Sequence, residues 1–453
     1  MKDMHDAKNK SCHTADAVSY SVLAKFLDRY PSVRFIRLQW QDLSGLLRAR
    51  VVPVEQGRLI AMGKKTIRLS PCSLNLAVEN SVLPAGSLLG GDTGFPDWSS
   101  LRTRQLLDPL YATVMCRISR NQGPGTHERE PSDDHCPRRA LTTVLNKASQ
   151  QFKIEFLVGF EVEFEIFECN PVGKLVPHSR GLGMGACSGL CDPCYRYVEE
   201  VMKVLLEAGV GLEAIHTEGL RGQYEFCLAP RPPIEAVDEL ILVHDTLKRV
   251  FTLHGLVATM FPRPTALRTQ SIGQHTHVSI SNPELEESFL AGILRNLPSL
   301  SALCLPYELS YERLKPGQAG SPFVAWGTED RRVPIRKVKP GHWEIRCVDA
   351  TANMYLALAA TLSAGLLSCA NSEPMCLGDS ATGAQVGGTS LPHSLEAALN
   401  QLDEGDEEKG IEAVERFMES KVIRHYLNLK RFELSKLNEM ETEEARNWLV
   451  ELF

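Results

Sequence analysis

The 453-residue sequence lacks several features that mark specialised classes of protein. Its opening residues, MKDMHDAKNK, contain no apolar stretch, so a secretory signal is not indicated. Basic residues do not outnumber acidic ones, and a formal net charge of -7 gives no basic face for nucleic acid. The longest mostly apolar run, residues 354–370, is too short to span a membrane and predicts a buried helix. We therefore expect a cytoplasmic globular protein with reduced cysteines and neither a nucleic-acid nor a membrane partner.

Composition and periodicity divide the chain into four segments. Residues 1–17 are polar and without periodicity, which predicts a flexible tail. Residues 18–119 predict a small mixed domain of helices and strands. Residues 120–137 are rich in Gly, Pro and charge, which predicts a linker. Helical and strand patterns alternate over residues 138–453, which indicates a second and larger domain.

Residues 159–168, GFEVEFEIFE, carry an unusual row of carboxylates. Because strand side chains alternate between faces, three of them share one face: Glu161, Glu163 and Glu165. Apolar residues share the other face: Val162, Phe164 and Ile166. Like charges on one strand face repel one another, so the row needs something of opposite charge beside it.

Further segments bring more carboxylates and imidazoles at strand spacing. They contribute Glu213, Glu218, Glu225, His275, His277, Ser279 and Glu344. Oxygen ligands suit Mg²⁺, and an added imidazole suits Mn²⁺ as well. Each residue taken alone is as well explained as a paired structural charge. Their joint occurrence favours a site for divalent cations.

A group of cations follows in the last third of the chain. Its members are Arg313, Arg331, Arg332, Arg336, Lys337, Lys339 and Arg346. Such a run usually forms a solvated face. Combined with a carboxylate cluster, however, arginines are what phosphoryl transfer requires, because they neutralise developing charge on the phosphate. No Gly-x-x-x-x-Gly-Lys-Ser/Thr loop is present, so a P-loop site is not indicated.

Six short motifs then occur in one order along the chain: Gly-x-Glu-x-Glu-Phe, Glu-x-x-x-Gly-Gln-x-Glu, His-x-His-x-Ser, Ser-Tyr-x-Arg-Leu-x-Pro-Gly, Glu-x-Arg and Ala-Asn-x-Tyr-Leu-Ala-Leu-Ala-Ala. In this order the sequence resembles the glutamine synthetases, in particular the bacterial type I and fungal FluG-like branch, over roughly residues 18–453. The resemblance implies an α+β protein. Residues 18–119 would form a β-grasp-like domain, and residues 138–453 an α/β catalytic domain whose antiparallel sheet forms an active-site funnel.

The resemblance also implies a role for each of these residues. One metal would be held by Glu161, His275 and Glu344, and a second by Glu163, Glu218 and Glu225. The nucleotide-binding positions would be Glu213, His277, Ser279 and Arg336. Arg313 and Arg346 would bind the substrate, and Arg331 and Arg336 would neutralise the transferring phosphoryl group. Asp42 would reach into a neighbouring subunit's site and help to deprotonate the amine.

The implied activity is ATP-dependent joining of a small carboxylate to an amine through an acyl phosphate, with two Mg²⁺ or Mn²⁺ per site. The implied assembly is a ring homo-oligomer, a dodecamer of two hexamers with active sites between subunits. An alternative is a catalytically inactive relative with a structural or signalling role. A two-metal hydrolase would use similar metal ligands but would explain neither the arginines nor the collinear motifs.

Three departures from the family pattern bear on the substrates. The segment PGQAGSP (316–322) has no acid where the family has a flap glutamate that helps to hold ammonium. Gln270 and Ser271 replace an Asn-Gly pair that binds glutamate, and His342 replaces an arginine near the phosphates. These changes predict an amine larger than ammonia, or one held more weakly, and leave open whether the carboxylate is glutamate.

Two further features stay outside this scheme. The cysteines of CSGLCDPC (187–194) have no fourth ligand at suitable spacing, so we expect a flexible loop more than a metal site there. Glu165 occupies a position that is usually apolar in the family, and we predict no ligand role for it.

Overall fold

The computed structural model describes residues 17–84, 91–121, 133–179, 181, 183, 185–266, 271–318, 320–383, 388–404 and 411–453. The predicted tail, except its last residue, lies outside the described residues, and so do the centre of the predicted linker and Gln270. Strand β6 ends at Asn121 and helix α3 begins at Pro137, which brackets the predicted linker.

Twelve helices of the α type are formed in the described residues. They are α1 (17–29), α2 (Val54–Ala61), α3 (Pro137–Lys147), α4 (Cys187–Leu190), α5 (Tyr195–Glu207), α6 (Pro233–Leu253), α7 (Glu286–Cys304), α8 (Met354–Ala370), α9 (Leu395–Asp403), α10 (Ile411–Met418), α11 (Val422–Leu437) and α12 (Thr442–Leu452). Short 3₁₀ or π turns lie at Trp98–Ser100, Ala148–Phe152, Pro283–Leu285, Glu308–Leu314 and Ser380–Thr382.

The strands belong to two sheets. They are β1 (Phe35–Gln41), β2 (Leu47–Pro53), β3 (Ile67–Leu69), β4 (Gly91–Pro96), β5 (Arg102–Thr103), β6 (Tyr111–Asn121), β7 (Phe156–Cys169), β8 (Leu175–Pro177), β9 (Leu212–Thr217), β10 (Gln223–Leu228), β11 (Leu256–Thr259), β12 (Thr276–Ile280), β13 (Trp326–Thr328), β14 (Ile335–Lys339) and β15 (His342–Ile345).

The N-terminal sheet has the order β2-β1-β6-β4-β3, with β5 on β6. Strands β1 and β6 run parallel, and the other pairs are antiparallel. Its buried side chains, among them Ile36, Leu38 and Val114, form a core separate from that of the larger sheet. The region is therefore a mixed α+β unit, as its sequence predicts, and its assignment to the β-grasp class stays a prediction.

The larger sheet has the order β13-β14-β15-β12-β7-β10-β9, with β8 and β11 also on β7. Its pairs are antiparallel except β13 with β14. Helix α6 packs against β7 and β11 on one side of this sheet, and α7 and α8 pack against each other behind it. Helices therefore cover one face of the sheet and leave the other available for a site.

Strand β7 shows the two faces that its alternating sequence predicts. Val162, Phe164 and Ile166 are completely buried in the core beneath the sheet. Helix α8 is likewise buried along nearly its whole length, which confirms the prediction for its apolar run. Among the helices of the described residues, none combines the length and the apolar character that crossing a bilayer requires.

Candidate active site

The open face of the larger sheet forms one wall of a cavity of about 540 Å³. We call this cavity the funnel. Its lining residues are Glu161, Glu163, His216, Glu218, Glu225, Cys227, Ser271, His275, Arg313, Gly317, Gln318, Arg331 and Arg346. Most are charged or can become so, and both signs are present. The structure thus gathers into one cavity groups that are up to 185 positions apart in the sequence, from Glu161 to Arg346.

Strand register sets the positions of the central carboxylates. Glu163 on β7 lies directly opposite Glu225 on β10, and Glu225 lies opposite His216 on β9. Two residues further along each strand, on the same face, Glu161 lies opposite Cys227. Because partners in register project from the same face, two rows of polar side chains cross the sheet side by side.

A first group of possible metal ligands combines Glu161, His275 and Glu344, whose ligand atoms all lie within 4.8 Å of one another. His275 Nδ1 is 2.9 Å from Glu161 Oε2 and 3.3 Å from Glu344 Oε1. Burial alone would raise the pKa of Glu161, but hydrogen bonds to His275 and His277 outweigh it and hold the pKa below its usual range. Glu161 is therefore ionised at neutral pH, as a metal ligand must be.

A second group combines Glu163, Glu225 and His275, again within 4.8 Å. Burial raises the pKa of Glu225 to about 9, and the neighbouring charges of Glu161, Glu163 and Glu218 add to this rise. Burial and the charge of Glu163 likewise raise the pKa of Glu218. This part of the funnel consequently carries more carboxylates than its cations offset.

The donor set fits divalent cations. The Nε2 atom of His275 is buried and has no hydrogen-bond partner, although its side chain is only 8% exposed. A buried polar atom of this kind is rare unless a ligand, ion or water meets it. A cation between Glu163, Glu225 and His275 would satisfy that nitrogen and offset the carboxylate repulsion.

Two arginines pair with Glu344, a member of the first group. Glu344 is completely buried and accepts hydrogen bonds from Arg336, at 2.9 Å, and from Arg346. Burial raises the pKa of Glu344, but the charges of His275 and Arg346 outweigh it and bring the pKa below its usual range. Arg331 is exposed and lines the funnel without an ion pair to this cluster among the described residues.

Arg313 is almost entirely buried in the funnel wall. Its guanidinium donates hydrogen bonds to the main-chain carbonyls of Ile272 and Arg346. Gly273 lies against it, and its N–H donates to Glu163 Oε2 at 2.9 Å. A Cβ at Gly273 would lie 2.8 Å from both the Arg313 guanidinium and the Glu163 carboxylate, so a larger residue would displace these side chains.

The predicted nucleotide residues divide among different environments. His277 is 3.1 Å from Glu161 Oε1, and its Nδ1 is 2.9 Å from Nε2 of His342. Burial and the charge of His277 lower the pKa of His342 to about 4. Ser279 lies further along β12 and lines a second, mostly apolar pocket of about 520 Å³ together with Leu157. Glu213 is exposed on β9 and does not line the funnel.

Asp42 lies apart from the funnel of its own chain, and its predicted role in a neighbouring subunit's site stays a prediction. The carboxylate is completely buried, pairs with Arg48 at 2.7 Å, and accepts hydrogen bonds from the backbone N–H groups of Ser44 and Leu46. These contacts stabilise the β1–β2 turn, and a role in another subunit's site would require the Asp42 carboxylate to leave them.

Sequence reasoning missed two funnel residues of chemical interest, His216 and Cys227. Both lie on segments with strand spacing. The position of His216 in the funnel depends on the register of β9 with β10, and that of Cys227 on the register of β10 with β7, which the sequence does not specify. Alternation alone could have placed Cys227 on the face of Glu225, two residues earlier. The flap segment also contributes: Gly317 and the neutral Gln318 line the funnel.

The cysteine segment lies apart from the funnel. Cys187 and Cys191 are exposed, whereas Cys194 is buried with its ligand atom near those of His178 and Asp192. Arg221 lies 3.5 Å from Asp192 and supplies a positive charge there. A cation in this group would meet that arginine, so a structural role agrees best with the contacts. Part of the adjoining Gly-rich stretch, 181–185, lies outside the described residues.

Comparison with known proteins identifies the relatives of the chain. A family model described as "Glutamine synthetase, catalytic domain" matches residues 134–449. Protein fluG of Emericella nidulans is 34% identical over 96% of this chain, which spans half the length of that relative. Gamma-glutamylpolyamine synthetase GlnA3 of Streptomyces coelicolor is 29% identical, over 76% of this chain and 77% of its own.

Solved structures share the fold. The GmaS/ADP complex superposes with a TM-score of 0.76 at 23% identity, covering 94% of this chain and 98% of the other. At that identity the match establishes the fold and leaves the chemistry to be argued from the residues of this chain. The predicted fold class is confirmed by this match.

Proposed function

Since the chain belongs to the glutamine synthetase family, we propose that it is an ATP-dependent ligase that joins a small carboxylate to an amine. The observation that carries the proposal is the composition of the funnel. Clustered carboxylates and His275 lie on the sheet, and Arg313, Arg331 and Arg346 line the same cavity. Divalent cations and arginines acting together on one phosphoryl group are the recurring parts of phosphoryl transfer.

We propose two cation positions in the funnel. Glu161, His275 and Glu344 would hold one cation, and Glu163, Glu218 and Glu225 the other. His275 also belongs to a group with Glu163 and Glu225 and so borders both positions. Such cations, Mg²⁺ or Mn²⁺, offset the negative charge of ATP phosphates when bound. Arg331 is well suited to neutralise a transferring phosphoryl group, because it is exposed to the cavity and not committed to Glu344. Arg336 and Arg346 instead support the first cation position by their contacts with Glu344.

A place for the nucleotide base follows from the second pocket. It shares strands β7 and β12 with the funnel and is lined mostly by apolar side chains, with Ser149, Glu155, Ser279 and Ser281 among them. His277 lies between this pocket and the carboxylates, two residues before Ser279 on the same strand face. An apolar pocket beside a charged cavity fits a purine with its phosphates extended toward the cations. Glu213 has no part in this arrangement.

The proposed reaction has two steps. An oxygen of the substrate carboxylate attacks the γ-phosphorus of ATP, the bond to ADP breaks, and an acyl phosphate forms. The amine nitrogen then attacks the acyl carbon, inorganic phosphate leaves, and the amine loses a proton to give the amide. The phosphate makes a poor electrophile reactive, and the funnel must keep water away from it.

The flap favours an amine larger than ammonia. Where the family has an acid, this chain has Gln318 and its neighbours, and Gln318 lines the funnel. A neutral amide holds a small cation such as ammonium less strongly than a carboxylate does. One relative is named a gamma-glutamylpolyamine synthetase, and this agrees with a larger amine. We propose glutamate or a related amino acid as the carboxylate.

A test is release of ADP with Mg²⁺ or Mn²⁺ across a panel of amino acids and amines, including polyamines. We expect turnover that requires both a carboxylate and an amine, with Glu163→Gln as the inactive control. Tight metal-dependent ATP binding without turnover for any pair would favour the inactive structural relative instead. The absence of both binding and turnover would refute a nucleotide-dependent role.

The ring assembly also stays a proposal, based on the family. Mass measurement of the purified protein in solution checks it directly, and a monomer as the sole species would contradict it. The role of Asp42 at a neighbouring subunit's site stays part of this proposal, and there its carboxylate would have to leave Arg48.

A further inference from the structure

Glu225 has two neighbours on its open side that differ in chemistry from the other ligands. Cys227 Sγ is 3.4 Å from Glu225 Oε1, and His216 Nε2 is 3.6 Å from the same oxygen. His216 Nε2 is also 2.9 Å from Glu218 Oε1. The ligand atoms of His216, Glu225 and Cys227 all lie within 4.8 Å of one another. A thiol and an imidazole therefore border the second cation position.

These distances resemble the edges of a tetrahedral metal site. Zinc ligands lie about 2.0–2.3 Å from the ion, which places them about 3.3–3.8 Å apart around a tetrahedron. The sulfur-to-oxygen and nitrogen-to-oxygen separations at Glu225 fall in that range. Glu218 Oε1 is 2.9 Å from His216 Nε2 but does not belong to the group of ligand atoms within 4.8 Å. Small side-chain adjustments would thus enclose an ion with one sulfur, one nitrogen and one oxygen from this group.

A second observation points to a cation at this position. His275 is nine-tenths buried, its Nε2 has no hydrogen-bond partner, and its group with Glu163 shares Glu225 with the His216–Cys227 group. Glu225 is therefore approached from both sides by groups that ligate metals. Cys227 lies opposite Glu161, a ligand of the first proposed cation position, and two residues after Glu225, a ligand of the second. The thiol therefore lies between the two positions.

We propose that His216 and Cys227 make the second cation position selective for thiophilic divalent cations such as Zn²⁺ over Mg²⁺. The inference rests on the proposed function only for the location of this position. Soft sulfur ligands favour Zn²⁺ and its analogue Cd²⁺, whereas Mg²⁺ prefers six oxygens. When the metal–sulfur bond forms, the thiol proton leaves to solvent. Cys227 is then a ligand that an all-oxygen site does not have.

The test uses Cd²⁺ as the probe, without ATP or substrate, so that failure of the ligase proposal cannot affect it. One equivalent of Cd²⁺ is added to the full chain, and the ultraviolet charge-transfer band of a cadmium–thiolate bond is recorded. The affinities for Cd²⁺ and Mg²⁺ are measured by calorimetry. The variants are Cys227→Ser and, as the matched control, Cys376→Ser, which removes an exposed thiol outside the funnel.

We expect the band in the wild type and in Cys376→Ser, and its loss in Cys227→Ser. The ratio of Cd²⁺ to Mg²⁺ affinity should fall at least tenfold in Cys227→Ser while Mg²⁺ binding persists. His216→Gln should weaken Cd²⁺ binding and keep the band. A band or a ratio that Cys227→Ser leaves unchanged would overturn the proposal. If Cys227→Ser lowered the Cd²⁺ and Mg²⁺ affinities by the same factor, the proposal would also be overturned, because the selectivity would then not depend on the thiol.

Discussion

Two regions of the molecule bury carboxylates, and they treat them differently. In the first, which we call the paired cluster, Asp42 pairs with Arg48 and Glu433 pairs with Lys430. In the funnel, Glu163, Glu218 and Glu225 face one another with too few cations between them. Both regions are enclosed by the same chain, so burial alone does not distinguish them.

The partners of Glu433 show how completely the paired cluster is satisfied. Besides Lys430, it accepts hydrogen bonds from Ser44 Oγ at 2.7 Å and from the Val78 N–H at 2.6 Å. These bonds fasten helix α11 to the N-terminal region. In the funnel, by contrast, burial and like charge raise the pKa of Glu225 to about 9, and Nε2 of His275 has no partner. The difference teaches that an excess of one charge, rather than buried charge itself, marks a ligand site.

The largest effect is expected from breaking the paired cluster. Glu433→Ala leaves the Lys430 ammonium buried without its partner and removes the acceptor of the Val78 N–H. Removing one member of a buried pair typically costs about 3–5 kcal/mol. We expect a loss of that size in the free energy of unfolding, measured by urea denaturation.

A double variant provides the control for this prediction. Glu433→Gln with Lys430→Met removes both charges and keeps an acceptor for Ser44 and Val78, so most of the lost stability should return. If Glu433→Ala unfolds like the wild type, the paired cluster does not have the structural role assigned to it.

The funnel should respond differently to loss of a carboxylate. Glu225→Gln removes a ligand and relieves like-charge repulsion, so stability without metal should change little. Changing groups that merely orient metal ligands typically costs 10–100-fold in affinity, so removing a ligand should cost at least about a hundredfold. Calorimetric titration with Mn²⁺ measures the affinity. A large loss of stability together with unchanged Mn²⁺ affinity would show that Glu225 is a structural carboxylate, like those of the paired cluster, and not a ligand.

The raised pKa of Glu225 predicts that both stability and metal affinity depend on pH. Between its ordinary value of 4.5 and about 9, the folded metal-free protein keeps a proton that the unfolded chain has lost. The contribution of Glu225 to the free energy of unfolding therefore falls as the pH rises through this window. A cation must displace that proton, so Mn²⁺ affinity should rise with pH, by up to about tenfold per unit. Glu225→Gln should flatten both trends, and a Mn²⁺ affinity that falls with pH would contradict this account.

The smallest effect is expected at Glu165. It is buried on the funnel face of β7, opposite Gln223 on β10 and Thr259 on β11, and it does not line the funnel. Glu165→Gln should change Mn²⁺ affinity by less than about twofold, because carboxylate and amide have the same shape and no ligand is lost. A loss comparable to that of Glu225→Gln would make Glu165 a ligand.

The sequence was sufficient where local periodicity decides the outcome. The alternation in β7 predicts which residues face the core, and the 3.6-residue spacing in α5 predicts its buried side, at Val198, Val201 and Leu205. These two inferences succeed because each depends on neighbours along one strand or helix. Collinear motifs supplied the metal-ligand candidates, most of which line the funnel, and their ligand role stays a prediction.

The sequence was insufficient where partners come from distant segments. Asp42 lies in a turn that looks exposed, and its enclosure depends on Arg48 and on an amide of Asn353, which donates to its carbonyl oxygen. The approach of His216 to Glu225 depends on the register of β9 with β10, where a one-residue shift would turn its side chain to the other face.

The central claim is that the excess of carboxylates in the funnel is matched by divalent cations that also bind ATP. The most direct measurement is calorimetric titration of the metal-free protein with Mn²⁺, followed by titration with a non-hydrolysable ATP analogue. We predict Mn²⁺ binding that Glu225→Gln weakens, and binding of the analogue only after Mn²⁺ is present. Binding of the analogue with equal affinity in the absence of Mn²⁺, or no Mn²⁺ binding at all, would contradict the claim.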